Sequence, residues 1–312
     1  MTNRGFFQPQ AWRYVKQLIF ITLTMFVSAV CLGLYLIAQE NFPLYLKDYY
    51  FDALLHHKMT HPKAPVDVLV VGDSTALNGV LPQTVTEHTQ LSVYNGALIS
   101  WAGIDAQVMV LDRYLERFPP PKAAVLVLSR NSPTFHHLYE KYQLAIANWR
   151  YRPLNTEKIQ FLRQHPELLG TLMKHLGYIF LLGKLDVSGA YYQKQAALMA
   201  PLKGAKVLKG TRLKKDCKQR TWQEMPNLNY LSELKKNYRE RGVNLLIYIS
   251  PMPECDPDLA NFSDYYAQHV DSPPFYMNDA NFRDRLHLTG DGAKAHSKHF
   301  AQWLNKVRLE QR

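Results

Sequence analysis

Apolar positions along this chain fall into three kinds of run. The first is one uninterrupted stretch, residues 18–38, with 21 residues and no charged side chain. At ~1.5 Å per residue, a helix of that length crosses the apolar core of a bilayer. The second kind is short and rich in β-branched residues. Residues 66–71, stopped by Gly72, predict a buried strand, and residues 91–94, 123–128 and 243–249 predict three more. The third kind recurs at helical spacing. Ile104, Val108, Leu111 and Leu115 mark one helix over 104–117, and Ala293, His296, Phe300, Trp303 and Leu304 mark another over 290–309. Pro119-Pro120-Pro121 breaks the chain before the third strand, and Ser250-Pro251 ends the fourth. Strands alternating with helices predict an α/β fold, its sheet mostly parallel and covered on both faces.

These runs divide the chain. Residues 1–17 read as a short basic cytoplasmic tail and 18–38 as a transmembrane helix. Residues 39–65 read as a juxtamembrane stalk, aromatic at Phe42, Tyr45, Tyr49, Tyr50 and Phe51 and closed by Pro62 and Pro65. Residues 66–312 form the folded domain. Within it, about 136–235 carry no clear strand and predict a largely helical insertion. Leu169, Leu172, Met173, Leu176 and Phe180 make an apolar stripe there, and Lys174 and His175 keep it from being a second span. The stripe fits a helix packed on the core, or a lid or helix resting on the membrane.

Charge sets an orientation. Arg4, Arg13 and Lys16 precede the apolar run, and no acidic residue occurs before Glu40. The positive-inside rule then puts the N-terminus in the cytoplasm and the remainder outside the cell or in the periplasm, anchored to the plasma or inner membrane. A cleaved signal peptide is the rival, but its apolar core is usually ~7–15 residues and ends at an A-x-A-like site. This run is longer, Leu36-Ile37-Ala38 is a poor cleavage site, and Val30 before Cys31 argues against lipidation. The whole chain has 37 Lys and Arg against 26 Asp and Glu, a net charge of +11, which suggests an anionic neighbour. Residues 201–220 are the most basic stretch, either a solvated loop or a site for anionic polymer or lipid. With 47% hydrophobic and 20% charged residues, the composition excludes a disordered or low-complexity chain. Cys217 and Cys255 are the pair outside the span, and export predicts a disulfide between them, against two unrelated thiols. Three cysteines without C-x-x-C spacing do not make a zinc site. The histidines at 56, 57 and 61, at 136 and 137, and at 296 and 299 lack the carboxylates or thiols a metal would want, so they read as surface or packing residues.

Three short segments carry chemistry. Gly72-Asp73-Ser74 follows the first strand, and a serine at the carboxyl end of a parallel strand lies where ligands bind. Asp284-Arg285-Leu286-His287 precedes the last helix. His287 can take the proton from a serine, and Asp284 can hold its tautomer. Ser129-Arg130-Asn131-Ser132-Pro133 follows the third strand, where Asn131 is either an amide donor to an oxyanion or an ordinary turn residue. Arg130 suits an anionic group on a substrate, or a surface ion pair.

Taken together, in this order, the segments resemble the SGNH (GDSL-type) hydrolase family over residues 66–135 and 243–309. The resemblance implies a flavodoxin-like three-layer sandwich. It implies Ser74 as nucleophile, His287 as base, Asp284 as its partner and Asn131 in the oxyanion hole. A backbone N–H some five residues past an Asn at the end of strand two is the family's other donor; counting from Asn95 reaches Ser100, with Gly96 and Gly103 nearby. The family's Gly-x-Asn-Asp reads Ser129-Arg130-Asn131-Ser132 here. The anchor and insertion look like those of membrane-anchored members that act beside membrane-bound O-acyltransferases, in teichoic-acid D-alanylation and polysaccharide O-acetylation. That narrower likeness rests on architecture.

The expected activity is therefore acyl-ester hydrolysis or O-acyl transfer through an acyl-Ser74 intermediate, without cofactor or metal. The basic exported part favours an anionic envelope glycan or lipid as substrate. The alternative is a non-catalytic scaffold that binds anionic polymer or a membrane-bound O-acyltransferase. Nucleic-acid binding is disfavoured, because the basic residues are exported and no nucleic-acid motif is present.

Overall fold

The computed structural model of the protein describes residues 9–38, 49–99, 103–129, 163, 170, 197–208, 228–256 and 266–310. The chain divides into two compact units, residues 1–44 with 145–187, and residues 45–144 with 188–312. The first contains helix α1 (Pro9–Ala38), 30 residues long. Its stretch Ala11–Leu32 has a mean hydropathy of 2.0 and is long and apolar enough to cross a membrane. None of that stretch is buried within the protein, and Leu18, Phe20 and Met25 point outward, as apolar side chains do where lipid is the solvent.

The second unit is an α/β fold. Four parallel strands, β1 (Val68–Gly72), β2 (Val93–Asn95), β3 (Ala123–Leu128) and β4 (Leu245–Ile249), lie in the order β2-β1-β3-β4. Every residue of the four is buried, which is why their sequences are continuous apolar runs rather than alternations. The expected strands are all present. β3 coincides with its apolar run, whereas the other three begin two residues later than theirs, because a strand lasts only where a neighbour offers a ladder: Val68 pairs with both Val93 and Ala123.

Helices α3 (Ser74–Gly79) and α4 (Pro82–Thr89) connect β1 to β2, and α5 (Gly103–Leu115) connects β2 to β3. Helix α6 (Asn229–Glu240) leads into β4, and α7 (Gly290–Glu310) closes the chain. A minor sheet pairs β5 (Met252–Pro253) with β6 (Tyr276–Met277). Helix α7 buries the face its spacing predicts: Ala293, His296, Phe300, Trp303 and Leu304 are all in the core. Helix α5 differs from expectation. Ile104, Val108 and Leu115 are only partly buried, and the core face runs through Ala106, Gln107, Val110, Leu111 and Tyr114. The cause is that α5 is covered by more than the sheet: a helix over Tyr49–Thr60 packs against it, and the α6 Tyr238 hydroxyl donates to Asp112 at 2.9 Å.

Two further boundaries move. Residues 49–60, inside the expected stalk, form helix α2 (Tyr49–Thr60), and Leu54, Leu55, Lys58 and Met59 are at most 1% exposed. Aromatic residues after a long apolar helix suit a membrane interface, but burial of these four side chains within the second unit makes the segment part of its core. The expected insertion also divides. Residues 145–187 fall in the first unit, whereas 188–235 fall in the second, where Ala205 packs with Leu81, Phe282, Leu288 and Ala293. The stripe residues Leu169, Leu172, Met173, Leu176 and Phe180 lie outside the described residues, as does the basic stretch beyond 208.

The core contains a titratable group that makes stability depend on pH. His296 is fully buried, with Nδ1 on the Gly79 carbonyl at 3.0 Å and Nε2 against the Tyr248 hydroxyl at 3.2 Å. A carbonyl accepts, so Nδ1 carries the proton and Nε2 receives the tyrosine's. Burial pushes the imidazole from 6.5 down to about 4, His299 adds to this, and the Gly79 bond opposes it. The folded value lies below the unfolded one, so the unfolded chain takes up the proton first as pH falls. The stability is complete above about pH 6.5 and is lost progressively toward pH 4, by roughly 3 kcal/mol from this group. Thermal melting of the detergent-solubilised chain is expected to drop across that window. His296→Gln should be less stable at pH 7.5 yet flatter from pH 6.5 to 4; equal slopes would reject the assignment.

Candidate active site

The site is built at the carboxyl end of β1. Gly72 ends the strand with φ +145°, and a Cβ there would overlap the carbonyl oxygen of Val127 on β3. Only glycine permits this approach. The chain then turns at Asp73, which is fully buried and caps α3: its Oδ1 accepts from the Thr75 N–H at 2.7 Å and the Thr75 hydroxyl at 2.6 Å. Its Oδ2 accepts from the Ser129 N–H at 2.8 Å, just beyond β3. The Ser250 hydroxyl, just beyond β4, lies 2.6 Å from Thr75 Oγ1. The Thr75 proton is committed to Asp73, so Ser250 donates. One buried network thus joins the ends of β1, β3 and β4 and sets Ser74 at the first position of α3.

Ser74 is 8% exposed. The side chain of Asn78 donates to the Ser74 carbonyl at 2.6 Å, and the Asn95 amide donates to the carbonyls of Ala76 and Val80, each at 2.8 Å. The short helix is therefore held by side chains, which compensates for its brevity.

His287 arrives from the loop before α7. That loop is closed by an antiparallel bridge between Phe282 and Leu288, both buried, and by the Arg283 N–H on the His287 carbonyl at 2.8 Å. Inside it, Asp284 Oδ1 accepts from the N–H groups of Leu286 at 2.9 Å and His287 at 2.8 Å. The short spacing works because the carboxylate organises its own turn. His287 Nδ1 lies 2.9 Å from Asp284 Oδ2, and His287 Nε2 lies 2.9 Å from Ser74 Oγ.

Partial burial pushes the Asp284 carboxyl up, but the His287 ring and the two backbone N–H groups outweigh it and hold the carboxyl at about 2. Asp284 is thus an anion over the working pH range. It can only accept, so Nδ1 carries the imidazole proton and Nε2 is free to take one from Ser74. The His287 side chain is 25% exposed and that of Asp284 52%, so the serine is the most sheltered of the three.

Of the residues predicted from sequence, the structure joins Ser74, His287 and Asp284 in one hydrogen-bonded line. Ser100, Arg130, Asn131 and Cys217 lie outside the described residues. Cys255 is disulfide-bonded and Cys31 is free. The Cys255 N–H donates to Asp279 at 3.0 Å, in the turn that leads to the His287 loop. Sequence reasoning missed the network of Asp73, Thr75 and Ser250. Asp before Ser-Thr is an N-cap signal, but its second partner, Ser129, is 56 residues away.

Asp284→Asn replaces a pure acceptor by an amide that can also donate, so the imidazole tautomer is no longer fixed. The rate of Ser74 acylation is expected to fall about 10²- to 10⁴-fold with the melting temperature little changed. A loss under threefold, measured by stopped-time labelling of Ser74, would remove Asp284 from the machinery. No family model matches this chain, and no curated protein matches it.

Proposed function

We infer that the protein is a membrane-anchored serine enzyme of SGNH type, which transfers acyl groups from an ester to water or to a sugar hydroxyl through acyl-Ser74. The observation that carries this reading is the line Ser74–His287–Asp284, at 2.9 Å and 2.9 Å, at the carboxyl end of a central parallel strand. That is where an open α/β sheet exposes catalytic groups. The strand order β2-β1-β3-β4 also fits the flavodoxin-like arrangement that such enzymes use.

In this mechanism Ser74 Oγ bonds to the ester carbonyl carbon while its proton passes to His287 Nε2. Asp284 stabilises the imidazolium. Amide donors take the negative charge on the carbonyl oxygen. Asn131 fits this role by following Ser129, which the Asp73 network anchors. The N–H of Ser100 fits because the loop before it continues alongside β1 to its carboxyl end, with the Leu98 N–H on the Gly72 carbonyl at 2.8 Å. Collapse breaks the ester C–O bond, and the leaving alkoxide takes the proton from His287. Water or a sugar hydroxyl then attacks acyl-Ser74, giving its proton to His287, which returns it to Ser74 Oγ. Every step is proton and acyl transfer, so the reaction asks for no cofactor.

Helix α1 supports an anchored enzyme, the basic residues Arg4, Arg13 and Lys16 before its apolar run favour a domain facing away from the cytoplasm, and the net charge of +11 favours an anionic envelope glycan or lipid. Arg130 is placed by sequence to meet an acidic group of that substrate. A membrane-bound O-acyltransferase is the partner that would supply acyl groups at this location. The test is acyl trapping. Full chain in native membranes, given an activated acetyl ester and quenched in acid, should carry one acetyl group on the peptide containing Ser74, released by hydroxylamine. Faster loss of that group on adding glycan than in buffer identifies a transferase; an acetyl group found only on lysines rejects the reading.

A further inference from the structure

Helix α2 buries a lysine that the reaction does not use. Lys58 is 1% exposed, and Nζ donates to the carbonyl oxygens of Asn95 at 2.6 Å and Gly204 at 2.5 Å, with the Tyr94 ring centroid 5.6 Å away. Burial pulls its ammonium group well below the ordinary lysine value. A buried cation is costly unless its protons are engaged. What Lys58 engages is therefore informative.

Both carbonyls belong to segments that hold the nucleophile's helix. Asn95 ends β2, and its side chain supplies the donors for Ala76 on α3 and for Val80, which caps the end of that helix. Gly204 lies in the segment whose next residues reach the same helix, with the Lys206 N–H on the Leu77 carbonyl at 2.9 Å. The two segments also bind each other, Asn95 N–H to the Lys203 carbonyl at 3.0 Å. Gly204 has φ +92°, and a Cβ there would overlap the Asn95 carbonyl oxygen and lie 3.0 Å from Lys58 Nζ. The close approach that brings both carbonyls to one ammonium thus demands glycine.

We propose that Lys58 is a positioning residue for Ser74: it clamps Asn95 and Gly204 together, and these segments hold two carbonyls of the helix on which the serine stands and a third, of Val80, at its C-cap. The proposal rests on Ser74 as the nucleophile. Through it, α2, which follows the apolar helix α1 after ten residues, bears on the reactive group.

The test uses the full chain in detergent, with Lys58→Met, which keeps the apolar stem, and Lys58→Gln, which restores N–H donors. The maximal rate of Ser74 modification by a fluorophosphonate, its half-saturation concentration and hydrogen exchange in α3 are measured together. For Lys58→Met the maximal rate should fall about 10- to 100-fold with half-saturation within twofold. Exchange at Leu77 and Val80 should rise, and Lys58→Gln should recover part of the rate. Asn95→Asp, which removes the donors to Ala76 and Val80, should give a similar loss and combine less than additively with Lys58→Gln. This pair keeps the proposal decidable if Lys58→Met does not fold. Wild-type rate and α3 exchange in the folded Lys58 variants overturn the clamp and leave Ser74 standing. A wild-type chain that takes no label, with α3 exchange still governed by Lys58, rejects the nucleophile and retains the clamp.

Discussion

Ser74→Ala is expected to abolish covalent labelling of this chain by a serine-reactive fluorophosphonate, while the wild type gains one adduct. The reason is specific to Ser74. A serine hydroxyl is a weak nucleophile until a base takes its proton. Ser74 Oγ has such a base 2.9 Å away in His287, whose other nitrogen faces a carboxylate that stays ionised to about pH 2. His287→Ala should lower the labelling rate by about 10⁴-fold or more, because members of a hydrogen-bonded line fail as a unit. Neither change should unfold the protein. The serine loses one oxygen at a helix start where Asp73 supplies the cap, and His287 lies on a loop held by the buried pair Phe282 and Leu288. Intact mass of both variants beside the wild type, in detergent and in native membranes, decides the matter. Equal adducts on wild type and Ser74→Ala would mean that another serine reacts, and the acyl-enzyme reading would fall.

Gly72→Ala is expected to prevent accumulation of folded protein. Its φ of +145° is foreign to residues with a Cβ, and the added methyl would overlap the Val127 carbonyl. Neither partner can yield easily. Gly72 is paired in register with Val127 in the centre of the sheet, and the Asp73 N–H already uses that carbonyl at 3.3 Å. Relief would require parting β1 from β3, whose carboxyl ends carry Ser74 and the Asp73 network. Such a conflict belongs to the class that costs more than about 4 kcal/mol, a large share of a domain's total stability. Gly242→Ala is the control. It also has a positive φ, +73°, but open space around the position, so strain of about 1–2 kcal/mol is all it should suffer. The yield and melting temperature of the two variants should differ sharply; similar values would show that backbone strain, not the contact with β3, makes Gly72 necessary.

Much of the fold was legible in the chain because its signals are local. The four strands announce themselves as apolar runs of the right length, and α7 by spacing that the structure buries as expected. The line Ser74–His287–Asp284 was legible too. Ser74 follows a glycine-stopped strand, and Asp284 and His287 are three apart in a loop that folds on its own hydrogen bonds. Helix α2 was not legible. Its sequence, with aromatic and apolar residues at one end and two histidines and a lysine at the other, reads as a membrane-proximal stalk. It becomes a core element because it packs on α5 and buries Leu54, Leu55 and Met59, and because Lys58 finds two carbonyls far away in sequence.

By itself the sequence determined the alternation of strand and helix, the apolar helix at the N-terminus, and which serine, histidine and aspartate to suspect. Each depends on side chains within a few residues of one another, where periodicity and turn chemistry act. The tertiary structure alone decided which face of α5 is core, that Asp73, Thr75 and Ser250 bind the strand ends together, and that the buried Lys58 meets the carbonyls of Asn95 and Gly204. Those outcomes depend on side-chain donors, hydroxyls and carbonyls brought together across 37 to 175 residues of chain. Such pairings leave no local mark, because a backbone carbonyl is the same in every residue and only the folded chain determines which donor reaches it.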